Sequence, residues 1–596
     1  MREFSVPAMV EVPDSTTLTD APFSRAEAEP GRVVLRRKSG DTWSAVTAAE
    51  FAAEISAVAK GLIAAGVEPG DRVALMSRTR YEWTLLDYAV WAAGGVTVPI
   101  YETSSAEQIE WIVSDSGAKA LIVEHDAHLE TLAQVRDGLT GLAHVWSIDG
   151  GAVAELTGQG AEVSDETLTE RRASRKAADL ATVIYTSGTT GRPKGCELTH
   201  ANFLETSRNA IEGALNEIAI EGSQTLLFLP LAHVFARLIQ VLTVEAGIVL
   251  GHSDIPNLLP DLGSFRPTFL LAVPRVFEKV YNGAEQKAIA EGKGKIFHKA
   301  AEVAIAYSRA LDAPGGAGLG LKVKHRVFDA LVYRKLRAAV GGQVTYAVSG
   351  GAALGERLGH FFRGVGITIL EGYGLTETTA PATVNRPSAL RIGTVGKPLP
   401  GVGVRIADDG EVLVKGVNVL RGYWHNETAT KEAIEDGWFH TGDLGALDED
   451  GFLKITGRKK EILVTAGGKN VAPAPLEDRL RAHPLVSQCL VVGDGRKFIS
   501  ALITLDAEAA GPWLKAHGRS EDLTVDQLRE DPDVIAAIDA AVAEANKSVS
   551  KAEAIKKYRI LNVDFTEESG HLTPSLKVKR NVVIRDFADE IEALYS

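Results

Sequence analysis

Apolar and polar residues alternate between two rhythms along most of this chain. Behind Thr47-Ala-Ala-Glu50, a capping-box pattern, apolar residues recur at helical spacing to about Ala65. Val67-Glu-Pro-Gly-Asp71 stops that helix, and Val73 to Met76 reads as a strand. A helix from Tyr81 to Ala93, a strand from Val96 to Ile100, a helix opened by Ser104-Ser-Ala-Glu107 and a strand from Ala120 to Glu124 follow. Helices alternating with apolar strands predict a parallel α/β architecture. Gly150 to Glu162 and Asp312 to Gly320 are glycine-rich and read as surface loops. No short-period repeat interrupts the pattern.

The texture changes at Gly401. Val404-Arg-Ile406, Glu411-Val-Leu-Val414 and Leu453 to Thr456 read as strands, with turns at Asp408-Asp-Gly410 and Asp448-Glu-Asp-Gly451. A small β-rich subdomain is expected over about 400–456. Beyond it a helix (Leu476 to Ala482), strands (Leu490 to Gly493 and Ile499 to Leu505), a mostly helical stretch from Glu521 to about Ser550 and a last helix after Arg580 predict a second, compact α/β unit.

The residues that bear chemistry sit where these elements end. Tyr185-Thr-Ser-Gly-Thr-Thr-Gly-Arg-Pro-Lys-Gly195 follows an apolar run, Ala181 to Tyr185. Glycine lets backbone N–H groups approach a bulky anion, and successive N–H groups in such a turn form an anion-binding concavity. Thr186, Ser187, Gly188, Thr189, Thr190 and Gly191 supply the turn and its hydroxyls, and Lys194 a mobile positive charge. That is chemistry for a polyphosphate. It is not the Gly-Lys-Ser/Thr loop of kinases and GTPases, since a proline precedes this lysine and Gly195 follows it.

Ser349-Gly350-Gly351-Ala352 and Glu371-Gly372-Tyr373-Gly374-Leu-Thr376-Glu377 each follow a strand. Two glycine turns after two strands suggest one crevice at the strand C-termini. Tyr373 offers a flat face to a base, Thr376 a donor to an oxyanion, and Glu377 a hard oxygen ligand suited to Mg²⁺. His233 ends Phe228-Leu-Pro-Leu-Ala-His233, where a lone histidine is more often structural.

Composition narrows the setting. The 596 residues are too many for one core, so two or more domains are expected. A net charge of −14 opposes general affinity for nucleic acid or anionic lipid. The basic segment with Lys322, Lys324, Arg326, Arg334, Lys335 and Arg337 reads as a solvated helix face, with lipid headgroups as the sharper alternative. Two cysteines cannot build a disulfide framework and suit a reducing compartment. The first residues carry no signal-peptide core, and the greasiest stretch, Leu226 to Leu250, is broken by His233, Arg237, Gln240 and Glu245. A cytoplasmic protein is expected, with room for reversible peripheral contact with membranes and for a homodimer.

Taken in order, these motifs resemble the acyl-adenylate-forming superfamily of acyl-CoA synthetases, firefly luciferases and peptide-synthetase adenylation domains. Six or more motifs in family order run from about Thr47 to Lys579. Leu229-Pro-Leu-Ala-His-Val, Val273-Pro-Arg-Val-Phe-Glu-Lys279, Gly467-Gly-Lys-Asn-Val-Ala-Pro and Leu572-Thr-Pro-Ser-Leu-Lys look most like the long-chain fatty acyl-CoA synthetases of actinobacteria.

The resemblance implies a large N-terminal adenylation domain (1–459), a hinge at Lys460 and a small mobile α/β domain (460–596). It implies ATP/AMP contacts at Thr186, Ser187, Gly188, Thr189, Thr190, Gly191, Lys194, Gly350, Gly351, Ala352, Glu371, Gly372, Tyr373, Gly374, Thr376, Asp443, Arg458 and Lys460. Metal ligation falls to Thr186 and Glu377, and the CoA side to Gly467, Gly468 and Lys469. His233 would stand near the bound carboxylate, and Lys577, with Lys579 as runner-up, would be the catalytic lysine. The family's usual glycine before that lysine is Leu576 here.

The implied activity is ATP- and Mg²⁺-dependent conversion of a fatty acid to acyl-AMP, then to a thioester of coenzyme A. A fatty acyl-AMP ligase serving a carrier protein, a short-chain or aryl-acid ligase, and a non-catalytic nucleotide- or lipid-binding relative are the alternatives. A dehydrogenase lacks its Gly-x-Gly-x-x-Gly here, a serine hydrolase its Gly-x-Ser-x-Gly, and a zinc enzyme its His-Glu-x-x-His.

Overall fold

The apolar run before the glycine-rich turn forms the strand Leu180–Thr186, buried from Leu180 through Tyr185. It lies inside a seven-stranded sheet of a computed structural model that describes residues 1–40, 42–186, 192–516, 523–573 and 576–596. The strand order is Gly422–Tyr423, Lys194–Thr199, Leu180–Thr186, Val96–Ile100, Arg72–Met76, Ala120–Val123 and His144–Ser147. The last five run parallel, and the first two pair antiparallel. Parallel strands covered on both faces read as continuous apolar runs, as Val96–Ile100 does with every residue buried.

Two further sheets meet edge to edge. One orders Gln224–Leu227, Val249–His252, Val33–Ser39 and Thr42–Thr47. The other orders Phe269–Ala272, Tyr346–Ser349, Thr368–Leu375, Ala380–Val384 and Lys397–Pro398. The Thr268 amide donates to the Gln224 carbonyl at 2.9 Å across the join. The expected β-rich region is an antiparallel sheet through Val402–Ile406, Glu411–Gly416, Trp438–Leu447 and Leu453–Arg458. Its outer edge is closed by the N-terminal strand Glu3–Val6.

Local signals explain several helix starts. Thr47 caps Ala48–Ala64: its hydroxyl accepts from the Glu50 amide at 3.2 Å, and the Glu50 carboxylate accepts from the Thr47 amide at 2.8 Å. The next box is shifted by one residue from its expected place. Ser105 and Gln108, not Ser104 and Glu107, close it ahead of Ala106–Ser116.

The expected loop at Gly150 to Glu162 is instead the helix Ala152–Gln159 with a 3-10 turn, Gly160–Glu162. Gly151, at φ +97°, turns the chain into this helix, whereas Gly160 and its partner Gly61 serve close approach. A Cβ on Gly61 would lie 2.0 Å from the Leu156 carbonyl oxygen, and one on Gly160 would lie 2.5 Å from the Gly61 nitrogen.

The apolar cores part between Leu453 and Leu463. One large core gathers residues from Leu18 to Leu453, and separate clusters gather Leu463 to Ile560 and Leu490 to Leu594. The later clusters wrap the sheet Val486–Val492, Ile499–Leu505 and Ile555–Ile560. Polar contacts tie the two parts together: Arg275 with Asp506 at 3.5 Å, Lys279 with Glu508 at 4.0 Å, and the Thr103 hydroxyl with the Glu567 carboxylate. Cys196 and Cys489 are both free and buried. Among the described residues, no helix is long and apolar enough to cross a membrane.

Two buried histidines give this core an acid limit. His200 is pulled down to about 3 by burial and the Arg175 charge, and His252 to about 4 by burial. The unfolded chain therefore takes up protons first as pH falls through 6.5, and stability drains away from there toward pH 4. Each histidine is expected to cost about 2 kcal/mol at pH 5 relative to pH 7.5. Denaturant titrations at the two pH values check this, and a His252→Gln variant should lose its share of the dependence.

Candidate active site

Thr186 and Lys194 stand opposite each other in the antiparallel register, at the two mouths of the glycine-rich turn. Ser187, Gly188, Thr189, Thr190 and Gly191 lie outside the described residues. The Lys194 ammonium stands 5.1 Å from the ring centroid of Tyr423, whose strand pairs with that of Lys194. The Tyr423 hydroxyl donates to the Glu377 carboxylate at 3.0 Å. Thr186, Lys194, Tyr423 and Glu377 thus form one group of hydroxyls, a cation and a carboxylate. Thr376 is half-buried beside Glu377 in the turn Thr376–Thr378.

The second glycine turn is shaped by its neighbour strand. A Cβ on Gly374 would fall 1.7 Å from the Ala380 carbonyl oxygen, and one on Gly372 would fall 3.1 Å from that of Thr383. Only glycine lets the chain lie so close at the first of these. Between them Tyr373 is pinned, its hydroxyl donating to Asp443 at 2.7 Å. Asp443 faces Arg458 across the adjacent strand, with Nε 3.5 Å from Oδ1. Burial raises the Asp443 carboxyl, and the Arg458 and Lys577 charges and the Tyr373 hydroxyl pull against it.

Glu371, expected among the nucleotide contacts, turns its carboxylate to protein. It accepts from the Leu354 amide at 3.1 Å, and burial lifts it to about 7. It thereby fastens the turn of Gly350, Gly351 and Ala352 to its own strand. Gly351 holds φ +86°, and a Cβ on Gly350 would meet the Phe235 ring at 3.5 Å.

His233 is the N-cap of Val234–Ala246, and its Nδ1 accepts from the Phe235 amide at 3.2 Å. Burial and the Lys577 charge pull its imidazole down to about 4, so it is neutral at pH 7. The helix behind it is anchored by Arg237, fully buried against Asp87 at 2.5 Å and among Trp83, Trp91 and Phe203. Arg237 also donates to the Thr182 hydroxyl at 2.5 Å, which ties this helix to the strand that ends at Thr186.

Lys577 comes to the same place from the C-terminal part. It remains open to solvent but deep in the cleft, where burial and Arg458 lower its ammonium while Asp443, Glu461 and Glu377 oppose the shift. Its amide donates to the Thr573 hydroxyl at 3.1 Å and its carbonyl accepts from the Thr573 amide at 2.8 Å.

Leu576 holds φ +60°, the left-handed region that favours glycine. That is a physical reason for a glycine at this position in the resembling family. Here leucine bears the strain, of about 1 kcal/mol, and packs on the cluster around Leu490 and Phe565. Leu576→Gly is expected to keep adenylate formation within about twofold, whereas Leu576→Val, branched at Cβ, should lower it about tenfold. Acyl-hydroxamate trapping checks both.

The cleft between the two parts holds a cavity of about 310 Å³. Leu229, Phe235, Ile255, Val273, Gly351 and Ala352 form one wall. Arg458, Glu461, Arg481, Lys577 and Arg580 form the other. Lys579 is not among its lining residues; it starts the helix Arg580–Asp586. Val273-Pro-Arg-Val-Phe-Glu-Lys279 both begins the helix Pro274–Ala290 and lines the cavity through Val273, Pro274, Arg275 and Glu278.

Lys460 is exposed in the turn Lys459–Glu461. Gly467, Gly468 and Lys469 cap an exposed hairpin between Leu463–Val464 and Asn470–Val471, and Lys469 pairs with Glu553 at 3.2 Å. That hairpin does not line the cavity.

Three members of the site escaped the sequence analysis. Tyr423 follows Gly422 without a catalytic pattern, and only the pairing of its strand reveals it. Glu477 and Arg580, joined at 2.6 Å, sit in the helix Ala474–Arg481 and just after Lys579, with no pattern of their own in the sequence.

The AMP-binding enzyme family model matches residues 23–424, and the model of the AMP-binding enzyme C-terminal domain matches residues 460–596. The chain is 54% identical to the long-chain-fatty-acid–CoA ligase FadD15 of Mycobacterium bovis, over 100% of both chains. It is 32% identical to the long-chain-fatty-acid–CoA ligase ACSBG2 of Xenopus laevis, over 94% of this chain and 81% of that one. The anthranilate CoA ligase AuaEII, solved with anthranoyl-AMP, shares the fold at TM-score 0.72 and 21% identity, over 98% of this chain and 99% of that one. The o-succinylbenzoate coenzyme A synthetase of Bacillus subtilis, solved with ATP and magnesium, does so at TM-score 0.66 and 22% identity, over 94% and 98%. From the turn that starts at Thr186 to the helices that follow Lys577, this chain belongs to the AMP-binding enzyme family.

Proposed function

We propose that this protein is an AMP-forming long-chain fatty acid–CoA ligase. The reading is carried by one arrangement. A lysine of the C-terminal part lines a cavity beside Arg458, which pairs with Asp443 and through it with Tyr373, and the facing wall holds an apolar surface and a neutral histidine. The full-length relation to a named long-chain-fatty-acid–CoA ligase supports the substrate class.

A carboxylate is a poor electrophile because its charge repels nucleophiles. In the first step its oxygen attacks the α-phosphorus of ATP, the bond to the β-phosphate oxygen breaks, and pyrophosphate leaves with acyl-AMP formed. Positioning and charge neutralisation are what a protein can add to such a step. Thr186 and Lys194, with the turn between them, would hold the β- and γ-phosphates. Asp443 would take the ribose hydroxyls, with Arg458 beside it, and Tyr373 would offer its pinned ring to the base. Thr376 would donate to the α-phosphate, and Lys577 would offset the charge that develops as pyrophosphate departs. His233, uncharged at neutral pH, would cap the fatty-acid carboxylate end without competing for its charge.

Hard oxygen donors suit Mg²⁺, and the Glu377 carboxylate, oriented by Tyr423, fits that need together with Thr186. When bound, the ion supplies charge neutralisation on the phosphates.

In the second step the CoA sulfur attacks the acyl carbonyl carbon and AMP leaves. Lys577 then stands in the way. A lysine on a separate core, joined through few polar contacts, can withdraw about a hinge near Lys460 and let Gly467, Gly468 and Lys469 face the cleft. The exposed position of that hairpin suits the arrangement for the first step.

A panel of acids from acetate to long-chain fatty acids, with ATP, Mg²⁺ and CoA, tests the reading. AMP, pyrophosphate and acyl-CoA should appear in equal amounts, with long chains preferred. ADP and inorganic phosphate as products would end it. An acyl-AMP that accumulates and never reaches free CoA would favour the carrier-protein ligase instead.

A further inference from the structure

The helix Leu319–Phe328 contains no buried residue, although four large apolar side chains recur along it and its continuation. Leu319 is 83% exposed, Val323 64%, Val327 51% and Leu331 53%. Their spacing of four residues puts them on one face. Four residues of an α-helix overshoot one turn, so such a stripe drifts round the axis. A π turn over Asp329–Tyr333 winds more slowly and carries Leu331 back toward the line of Val327.

The other face is fixed inward. His325 Nε2 lies 2.6 Å from the Gly364 carbonyl oxygen, and its ring stacks on Tyr307 at 3.9 Å. The Tyr333 hydroxyl donates to the Ala300 carbonyl at 2.7 Å. The apolar stripe therefore cannot roll into the core without breaking these bonds.

Charge frames the stripe. Lys322, Lys324 and Arg326 are exposed among its residues, and Arg334, Lys335 and Arg337 follow. The one carboxylate in the segment, Asp329, is held by Arg334 at 3.2 Å and Arg337 at 2.7 Å. A basic, greasy ridge on a chain of net charge −14 is an asymmetry that selects an orientation.

The geometry points to this ridge as the surface by which the protein docks reversibly on an anionic lipid bilayer. Apolar side chains enter the headgroup boundary while the flanking lysines and arginines meet lipid phosphates. A second copy of this chain suits the ridge poorly, because a two-fold interface would press the same basic residues against each other. The inference is independent of which acid the enzyme activates.

Co-sedimentation of the full chain with vesicles tests it, using phosphatidylcholine alone and phosphatidylcholine with phosphatidylglycerol. Binding is expected to the anionic vesicles only, and to weaken in about 0.5 M salt. Each basic residue near such a surface is worth about fivefold in affinity. The variant Lys322→Glu/Lys324→Glu/Arg326→Glu should therefore lose about a hundredfold or more. Val323→Ser/Val327→Ser/Leu331→Ser should lose at least about tenfold, because its apolar insertion is gone. All these side chains are exposed, so both variants should melt as the parent does, which circular dichroism checks. Equal binding by parent and variants, or none by the parent, would overturn the inference. So would a stripe variant that changes only the dimer-to-monomer balance in sedimentation velocity.

Discussion

Lys577→Ala is expected to cut adenylate formation by about a thousandfold while leaving thioester formation from supplied acyl-AMP within about threefold. Removing one preorganised charge from a transition state typically costs a hundredfold to a thousandfold. The upper end is expected here because Lys577 lines the cleft itself, within range of the Arg458, Asp443 and Glu377 charges. Pyrophosphate release measures the first half-reaction, and acyl-CoA formed from acyl-AMP measures the second. Lys579→Ala should leave both nearly unchanged, since its side chain does not line the cavity. Equal loss of the two half-reactions in Lys577→Ala would contradict the assignment of this lysine to the first step.

Arg237→Ala is expected to destabilise the large core by about 3–5 kcal/mol. Both partners of the Arg237–Asp87 pair are fully buried, so deletion of one leaves an uncompensated charge. Asp87 also accepts from Gln240 at 2.9 Å, which makes the loss a network loss. The double variant Arg237→Met/Asp87→Leu should recover most of the deficit, because the buried charge then disappears with its partner. Denaturant unfolding followed by tryptophan emission is a suitable measure, since Trp83 and Trp91 stack about the guanidinium. Adenylation should fall with stability in Arg237→Ala, since this helix carries His233 at its start and ties to the strand of Thr186.

These two predictions also mark where the sequence was readable. The lysine is expected from the pattern Leu572-Thr-Pro-Ser-Leu-Lys, and the crevice from glycine turns at strand ends. Such features are local, and their residues lie within a few positions of one another. Arg237, by contrast, appears in sequence only as an interruption of a greasy stretch. Its partner is 150 residues away, and nothing near either residue announces the pair.

The same reason explains Tyr423, whose importance depends on a short edge strand joining a distant sheet. It explains the misread segment from Gly150 to Glu162 too. Glycines there suggested a loop, but Gly160 lets the segment touch another helix, and that purpose depends on Gly61 in that helix. Leu576 is the reverse case. The departure from the family pattern was visible at once, yet its meaning needed the backbone angle.

The separate apolar clusters on either side of residues 453–463 carry a thermal consequence. With charged and hydroxyl contacts such as Arg275–Asp506 and Thr103–Glu567 bridging them, the two lobes should melt as distinct units, and calorimetry of the empty protein should resolve two endotherms. A nucleotide gripped by both lobes would merge those endotherms and move the weaker one upward. The heat trace then becomes a gauge of how firmly the cleft is shut, read without any turnover at all.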